Sequence, residues 1–184
     1  LDSAADLAAL QETERRHAKA YQDAARSLSQ TRAKAAPRLS RAITAAMQEL
    51  GMIGGTFSAH IEKVAEPAAH GVDDIAFLVA THPGMTPRPI GKVASGGELS
   101  RISLAIAVAT SALGNAGTLI FDEVDAGAGG AVAATVGRLM QQLGHDRQVL
   151  AVTHLPQVAA CAHCHLVVAK QSGDTTTSTV TPVQ

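Results

Sequence analysis

The chain has 184 residues, with 15 basic and 16 acidic side chains and a formal net charge of −1. This balance excludes a global basic field that holds nucleic acid, and an aromatic content of 2% argues against recognition of stacked bases. The length leaves room for one compact domain with an appendage, and a hydrophobic content of 46% suits a folded core. No apolar run is long enough to span a bilayer and no signal segment opens the sequence, which predicts a cytoplasmic protein without membrane contact. The chain begins at Leu1 rather than Met, which is consistent with a segment of a longer protein.

Residues 1–36 contain no glycine or proline and are rich in good helix formers, which predicts one long polar helix. Several leucines fall near one stripe of this helix, although Glu14 and His17 interrupt a strict heptad. Two interpretations are open: a surface helix on a globular domain, or one arm of an antiparallel coiled coil whose partner is absent. Pro37 predicts the start of a second helix, which Gly51 ends.

Beyond Gly51 the hydrophobic periodicity changes, and predicted strands and helices follow one another. The predicted strands cover residues 57–61, 75–81, 118–121, 148–152, 166–169 and 175–183. The predicted helices run from the loop 94–98 to about Leu113, over 131–143, and over about 156–161. Alternation of strands and helices from residue 94 onward predicts an α/β fold with a mostly parallel sheet.

The strand Thr118–Phe121 ends in two adjacent carboxylates, Asp122 and Glu123. Ligands of α/β proteins bind at the carboxyl ends of parallel strands. There Asp122 can hold Mg²⁺ through water, and Glu123 can polarise an attacking water molecule. The simpler interpretation is a strand that ends in a solvated acidic turn.

Two glycine-bearing segments precede predicted helices. In Ser95-Gly96-Gly97-Glu98, backbone N–H groups and the positive end of the helix can bind an anion. The simpler interpretation is a capped helix, with Ser95 as the cap and Glu98, three residues on, completing a capping box.

The second segment, residues 125–130, reads Asp-Ala-Gly-Ala-Gly-Gly. Its acidic surroundings exclude a dinucleotide-binding turn, which leaves a glycine turn into a helix.

His154 follows the predicted strand 148–152, at the same edge of the sheet as Asp122. An imidazole there can bond a phosphate oxygen, although for a single histidine a structural role is the better interpretation. The chain contains no G-x-x-x-x-G-K-[ST] sequence, so the usual phosphate cradle and its lysine are missing.

These signals, taken in order, resemble the second half of an ABC-type ATPase head. Three segments carry a closer resemblance, to the RecN family of bacterial SMC-like DNA repair proteins: KVASGGELSRISLAI (92–106), TLIFDEVD (118–125) and VTHLPQVAA (152–160). The resemblance implies that the chain is α/β, the C-terminal lobe of an ABC/SMC-type ATPase head preceded by a coiled-coil helix. Residues 1–36 would be the stump of the coiled-coil arm and residues 37–184 the lobe.

The same resemblance implies roles for the motif residues. Asp122 would support Mg²⁺, Glu123 would be the general base, and His154 would contact the γ-phosphate of ATP. The signature motif would bind ATP held by the opposite head, through residues Ser95, Gly96, Gly97 and Glu98. A D-loop containing Asp125 and Gly127 would couple the two sites.

The resemblance also implies partners. The missing phosphate cradle, the G-x-x-x-x-G-K-[ST] sequence known as Walker A, would lie in an N-terminal lobe of the same protein. The isolated C-terminal lobe would be inactive. Two heads would sandwich ATP and tether DNA, with a recombinase as a further partner and with hydrolysis releasing the heads. The protein would be cytoplasmic and associated with the nucleoid.

Other interpretations stay open at this point. The chain can be the head lobe of another SMC-like repair ATPase, or a scaffold in which nucleotide clamps the heads without being hydrolysed. Cys161 and Cys164, with His163 and His165, have half of a zinc-site pattern, but reduced, partly buried thiols are the simpler interpretation.

Overall fold

A computed structural model describes residues 3–93, 95–114, 116–171 and 177–183. The predicted positions Ala94 and Thr175 lie outside the described residues. The helices are α1 (Ser3–Glu49), α2 (Gly96–Ala109), α3 (Gly130–Leu143) and α4 (Pro156–Ala159), with a short 3₁₀ turn at Ile90–Lys92. The strands are β1 (Thr56–Ala68), β2 (Gly71–Ala80), β3 (Arg88–Pro89), β4 (Thr118–Phe121), β5 (Gln148–Ala151), β6 (His165–Gln171) and β7 (Thr177–Val183). No helix among these described elements is long and apolar enough to cross a membrane.

The first helix is longer than the sequence predicts, because it continues through Pro37. Helix α1 spans 47 residues without interruption, so the predicted break at Pro37 is wrong. Pro37 lies on an exposed face, where water can bond the carbonyl group that its missing N–H leaves free. Residues 6–20 are exposed on all sides. The division into an arm and a lobe stays a prediction.

The core forms where the end of α1 meets α2 and α3. On α1, Ile43 and Met47 are fully buried, and Leu50 follows just after the helix. They cluster with Ile102 of α2 and Val136 of α3. Complete burial of one such side chain stabilises the fold by about 1.5–3 kcal/mol, so these few aliphatic contacts account for much of the packing between the helices.

A three-stranded antiparallel sheet, in the order β1-β2-β3, covers one side of α1. Two hydroxyl groups of α1 bind its first strand directly. Thr44 Oγ1 accepts a hydrogen bond from the Phe57 N–H at 3.0 Å, and Ser40 Oγ accepts one from the Ala59 N–H at 3.0 Å. The helix therefore satisfies backbone groups of β1 that no strand covers.

Parallel pairing is confined to one pair of described strands. Strands β4 and β5 pair in parallel, with Phe121 opposite Ala151, whereas β6 and β7 form an antiparallel pair. The prediction of a mostly parallel sheet therefore holds for β4 and β5 and not for the other described strands. The reason is connectivity: α3 provides the long crossover that parallel strands need, while β1–β2 and β6–β7 are close neighbours in sequence.

Candidate functional site

The N-terminus of α2 has the capped geometry that the sequence predicts. Ser95 has extended backbone angles (φ −98°, ψ 122°), and its Oγ accepts a hydrogen bond from the Glu98 N–H at 3.4 Å. The Glu98 carboxylate points elsewhere, with Oε1 at 3.2 Å from His82 Nε2. Gly96 is exposed and Gly97 is buried. The first turn thus presents open backbone next to the hydroxyl group of Ser95, an arrangement suited to an anion.

The acidic pair lies at the carboxyl end of β4, as predicted. Asp122 and Glu123 are both exposed, and Asp122 Oδ1 accepts a hydrogen bond from the Glu123 N–H at 2.9 Å. Glu123 has φ 55°, which makes it the only non-glycine residue with positive φ in the described part of the chain. Such a backbone costs about 1–3 kcal/mol, and it persists only where the surroundings hold it in place.

The Glu123 carboxylate packs against the start of α2. A methyl group built on Gly96 would lie 2.8 Å from Glu123 Oε2. The two predicted motifs therefore meet within one chain, with a carboxylate beside the positive end of a helix. A side chain at position 96 would therefore push the Glu123 carboxylate out of its place.

A buried carboxylate connects the turn after β4 to the end of β5. Asp125 is 2% exposed and accepts hydrogen bonds from the Thr153 hydroxyl and from the His154 N–H, the latter at 3.3 Å. Burial raises the pKa of Asp125, but hydrogen bonds from Thr153 and His154 outweigh it, so the net pKa lies below its ordinary value. The imidazole Nδ1 of His154 is 3.6 Å from Asp125 Oδ2, while the His154 side chain is 74% exposed. Asp125 therefore anchors His154 and leaves its ring open to a ligand.

The turn after Glu123 is also pressed against α2. A methyl group on Gly97 would lie 2.7 Å from the Ala126 carbonyl oxygen, and Arg101 Nη1 donates a hydrogen bond to that same oxygen at 2.6 Å. The Ala126 N–H donates back to the Glu123 carbonyl at 3.0 Å. Gly127, next in the turn, has φ 70° and open space around it.

All the predicted motifs thus lie at one edge of the β4–β5 pair, but not every residue takes part in the contacts. Glu123 meets Gly96, Gly97 meets Ala126, and Asp125 meets His154. Asp122 bonds its own neighbour and otherwise faces solvent.

Magnesium would be held here by few protein ligands. Mg²⁺ is commonly bound by one or two carboxylates together with phosphate oxygens and water, and an exposed carboxylate such as Asp122 fits that pattern. Among the described residues no group of three or more His, Cys, Asp or Glu side chains could hold a metal ion, and this includes the segment around Cys161 and Cys164. Both thiols are free, Cys161 partly buried and Cys164 exposed.

Two residues that hold the site together, Thr153 and Arg101, have no role that the motifs predict. Thr153 directly precedes His154, and Arg101 lies three residues beyond Glu98. Their position beside the motifs is the one sequence feature that marks them, and only the structure shows which backbone and carboxylate oxygens they bond.

Two grooves of about 410 and 370 Å³ lie away from this site, between α1 and β1, and share Ser29 and Lys63 in their walls.

Comparisons with known proteins match most of the chain. The DNA repair protein RecN of Xylella fastidiosa (strain Temecula1) is 49% identical over 152 residues, which are 82% of this chain and 27% of that protein. RecN of Vibrio cholerae is 49% identical over 81% of this chain and 27% of that protein. RecN of Haemophilus influenzae is 42% identical over 91% of this chain and 30% of that protein. The chain therefore spans less than a third of the length of these relatives. No protein-family model matches the chain.

Solved structures agree on the fold. The Smc head domain with a coiled coil and joint from Pyrococcus yayanosii has a TM-score of 0.60 and 20% identity, over 80% of this chain and 27% of that chain. The Smc head domain of Pyrococcus furiosus, with an extended coiled coil and bound to the C-terminal domain of ScpA, has a TM-score of 0.59 and 22% identity. It matches 80% of this chain and 35% of that chain. The chain thus has the α/β fold of part of an SMC-type head.

Proposed function

Because this chain belongs to the RecN family of DNA repair proteins, we propose that it is the C-terminal lobe of an ATPase head. The complete protein hydrolyses ATP between two heads in the repair of DNA double-strand breaks. One observation carries the proposal: the parallel strands β4 and β5 end side by side, and Asp122–Glu123 follow the first while Thr153–His154 follow the second one residue later. Carboxyl ends of parallel strands are where α/β folds bind nucleotides.

Each residue at this edge has one chemical task. Glu123 accepts a proton from the water that attacks the γ-phosphorus, while the bond to the ADP oxygen breaks. Asp122 would hold Mg²⁺, and the bound ion would supply neutralisation of charge on the phosphate oxygens. His154, anchored by Asp125, donates to the γ-phosphate. In the first turn of α2, the Ser95 hydroxyl and the exposed Gly96 backbone bind the γ-phosphate of the nucleotide held by the other head, and Gly97 and Glu98 complete this motif.

The Walker A lobe of the same protein is the first partner. Three aliphatic side chains at the β4–β5 pair are unusually exposed for a sheet, with Ile120 at 72%, Leu150 at 45% and Val152 at 64%. Exposed contiguous apolar surface of this kind marks an interface. A lobe that supplies the phosphate cradle would cover this surface and complete the site.

A second head and DNA are the other partners. One solved structure with a similar fold comes from the structural biochemistry of ATP-driven dimerisation and DNA-stimulated activation of SMC ATPases. We extend dimerisation, DNA tethering and release on hydrolysis to the protein that contains this chain. A repair role also places the protein in the cytoplasm, in contact with the nucleoid. It further implies a recombinase that acts on the tethered DNA ends.

The test is ATP turnover by this chain alone and after mixing with a separately produced Walker A lobe. We expect activity only in the mixture, and its loss in Glu123→Gln. Glu66→Gln, which changes an exposed carboxylate on β1, is the matched control and keeps full activity. Equal turnover in the Glu123→Gln mixture would reject Glu123 as the base. No turnover in a mixture that forms a complex and binds ATP would favour a scaffold clamped by nucleotide.

A further inference from the structure

Arg101 connects two motifs that lie far apart in sequence. It sits in the second turn of α2, and its Nη1 donates a hydrogen bond to the Ala126 carbonyl oxygen at 2.6 Å. Ala126 belongs to the turn that begins at Glu123, since its own N–H donates to the Glu123 carbonyl at 3.0 Å. The guanidinium group therefore bonds the closing residue of the turn that contains the proposed base.

The same turn is held from a second side by close packing. At Gly97 a side chain has no room, because a methyl group would lie 2.7 Å from the Ala126 carbonyl oxygen. At Gly96 a methyl group would lie 2.8 Å from Glu123 Oε2. The first turn of α2 and the turn 123–126 thus fit each other closely, and the Arg101 hydrogen bond keeps them together.

Glu123 needs such a hold, because its backbone is in the left-handed region at φ 55°. A residue with a side chain leaves this conformation unless its surroundings fix it. Arg101 is charged and partly buried, and a hydrogen bond from a charged donor is stronger than a neutral one. Its Nε is buried without a hydrogen-bond partner, so the guanidinium group is kept in place at a cost.

We propose that Arg101 is a positioning residue that clamps the turn 123–126 onto the N-terminus of α2 and so fixes the direction of the Glu123 carboxylate. The inference rests on the proposed function, in which Glu123 is the base. Helix α2 would then have two tasks. Its signature motif binds the nucleotide of the opposite head, and its Arg101 acts on the base of its own chain. Arg101 touches neither nucleotide nor water in this role.

Arg147 provides a matched control. Its Nη2 donates to the Ser111 carbonyl oxygen at 2.6 Å, and its Nε is also buried without a partner. This contact lies at the opposite end of β5 from His154. Arg101→Met and Arg147→Met therefore remove the same kind of bond, one beside the proposed base and one far from it.

The experiment measures ATP hydrolysis by the head assembled from this chain and its Walker A lobe. Arg101→Met should lower kcat by roughly 10- to 100-fold, the effect of a misplaced catalytic group, with the KM for ATP nearly unchanged. Arg101→Lys, which keeps one donor, should recover part of kcat, and Arg147→Met should leave both constants unchanged. Loss of activity in all three variants together with lower thermal stability would overturn the inference, because it would show a purely structural role.

A second readout works on this chain without nucleotide. Backbone chemical shifts of Glu123 by NMR report whether its φ stays positive; in Arg101→Met we expect them to move toward ordinary values, and in Arg147→Met to stay unchanged. Should Arg101→Met unfold, Gly97→Ala disturbs the same contact from the other side and should shift Glu123 in the same way. Unshifted Glu123 resonances with unchanged kcat would overturn the inference. If Glu123→Gln keeps full turnover, the proposed function fails, while the NMR comparison still decides whether Arg101 holds the turn.

Discussion

The carboxylate of Asp125 lies 3.6 Å from the Nδ1 of His154, one group buried and the other exposed. The hydrogen bond from the Thr153 hydroxyl and the bond from the His154 N–H fix the same carboxylate oxygen. The turn that follows β4 therefore determines where the imidazole stands. In the proposed function, this anchoring presents the imidazole to the γ-phosphate.

Asp125→Asn should destabilise the fold. The amide oxygen of asparagine can still accept the bonds from Thr153 and His154, but they lose the strength that the negative charge gives them, and an NH₂ group replaces the second acceptor oxygen. In a buried place we expect this to cost about 1–3 kcal/mol. Urea denaturation near neutral pH measures the difference from the unsubstituted chain. Asp146→Asn, at an exposed position, is the control and should leave the free energy of unfolding unchanged.

The same comparison has a defined pH dependence. Because the pKa of Asp125 is lower in the folded state than its ordinary value of 3.8, the ionised carboxylate stabilises the fold fully above that pH. The contribution disappears as the pH falls through the lower, folded-state pKa. The stability difference between the chain and Asp125→Asn should therefore be constant at higher pH and shrink in acid. A difference that stays constant in acid would contradict the ionised, hydrogen-bonded state of Asp125.

Thr153→Val tests the residue that joins the Asp125 carboxylate to the end of β5. Valine keeps the shape of threonine but removes the hydroxyl group, which donates to Asp125 and accepts from the Leu155 N–H at 3.1 Å. We expect a loss of about 1–3 kcal/mol in stability and a lower kcat in the assembled head. Thr153→Ser keeps the hydroxyl group and should retain most of both. Equal effects of valine and serine would show that the methyl group, not the hydrogen bond, matters.

The order of the motifs along the chain predicts where the candidate residues lie but not the bonds between them. Asp122, Glu123 and His154 could be placed at one sheet edge because strand polarity determines where strand-end residues meet. The bonds made by Arg101 and Thr153 depend on which oxygen a side chain meets after the helices pack. Local sequence does not contain that information, since both residues are ordinary neighbours of a motif.

The wrong prediction at Pro37 has a similar cause. Proline disfavours the interior of a helix, but the cost is lower where the freed carbonyl reaches water. The hydrogen bonds of Ser40 and Thr44 after Pro37, and those of Tyr21 and Ser29 before it, hold both halves of α1 on the β1–β2 hairpin. Tertiary packing therefore outweighs the local preference, and this packing is not visible in the composition of residues 1–36.

Gly97→Ala should destabilise the chain through one clash. The added methyl group would lie 2.7 Å from the Ala126 carbonyl oxygen, and a backbone atom cannot move aside as a flexible side chain can. Overpacking of this kind costs about 1–3 kcal/mol. Thermal unfolding measures the loss. Gly117→Ala, where nothing lies within 4 Å, is the control and should change stability little. Two equal melting temperatures would mean that α2 does not pack closely on the turn.

Asp73 should fix the direction in which α1 leaves the lobe. Its buried carboxylate accepts hydrogen bonds from Lys63 Nζ at 2.7 Å, from Ser29 Oγ at 2.9 Å and from Arg32 Nη1 at 3.4 Å. The hydrogen bond from Lys63 is the main cause that lowers the pKa of Asp73, and burial opposes it. The ionised carboxylate therefore stabilises the contact above the ordinary value of 3.8, and this contribution disappears as the pH falls through the lower, folded-state pKa.

Asp73→Leu leaves Arg32 and Lys63 facing an apolar side chain, so it should lower the melting temperature. Amide exchange should become faster over residues 21–32, and by a larger factor than in α2. Asp74→Asn, exposed on the same strand, is the control and should change neither. Hydrogen exchange followed residue by residue separates local release of α1 from global unfolding. Uniform acceleration throughout the chain would contradict a local role. Faster exchange confined to residues 21–32 would mean that this buried carboxylate sets how firmly α1 is attached to the β1–β2 hairpin.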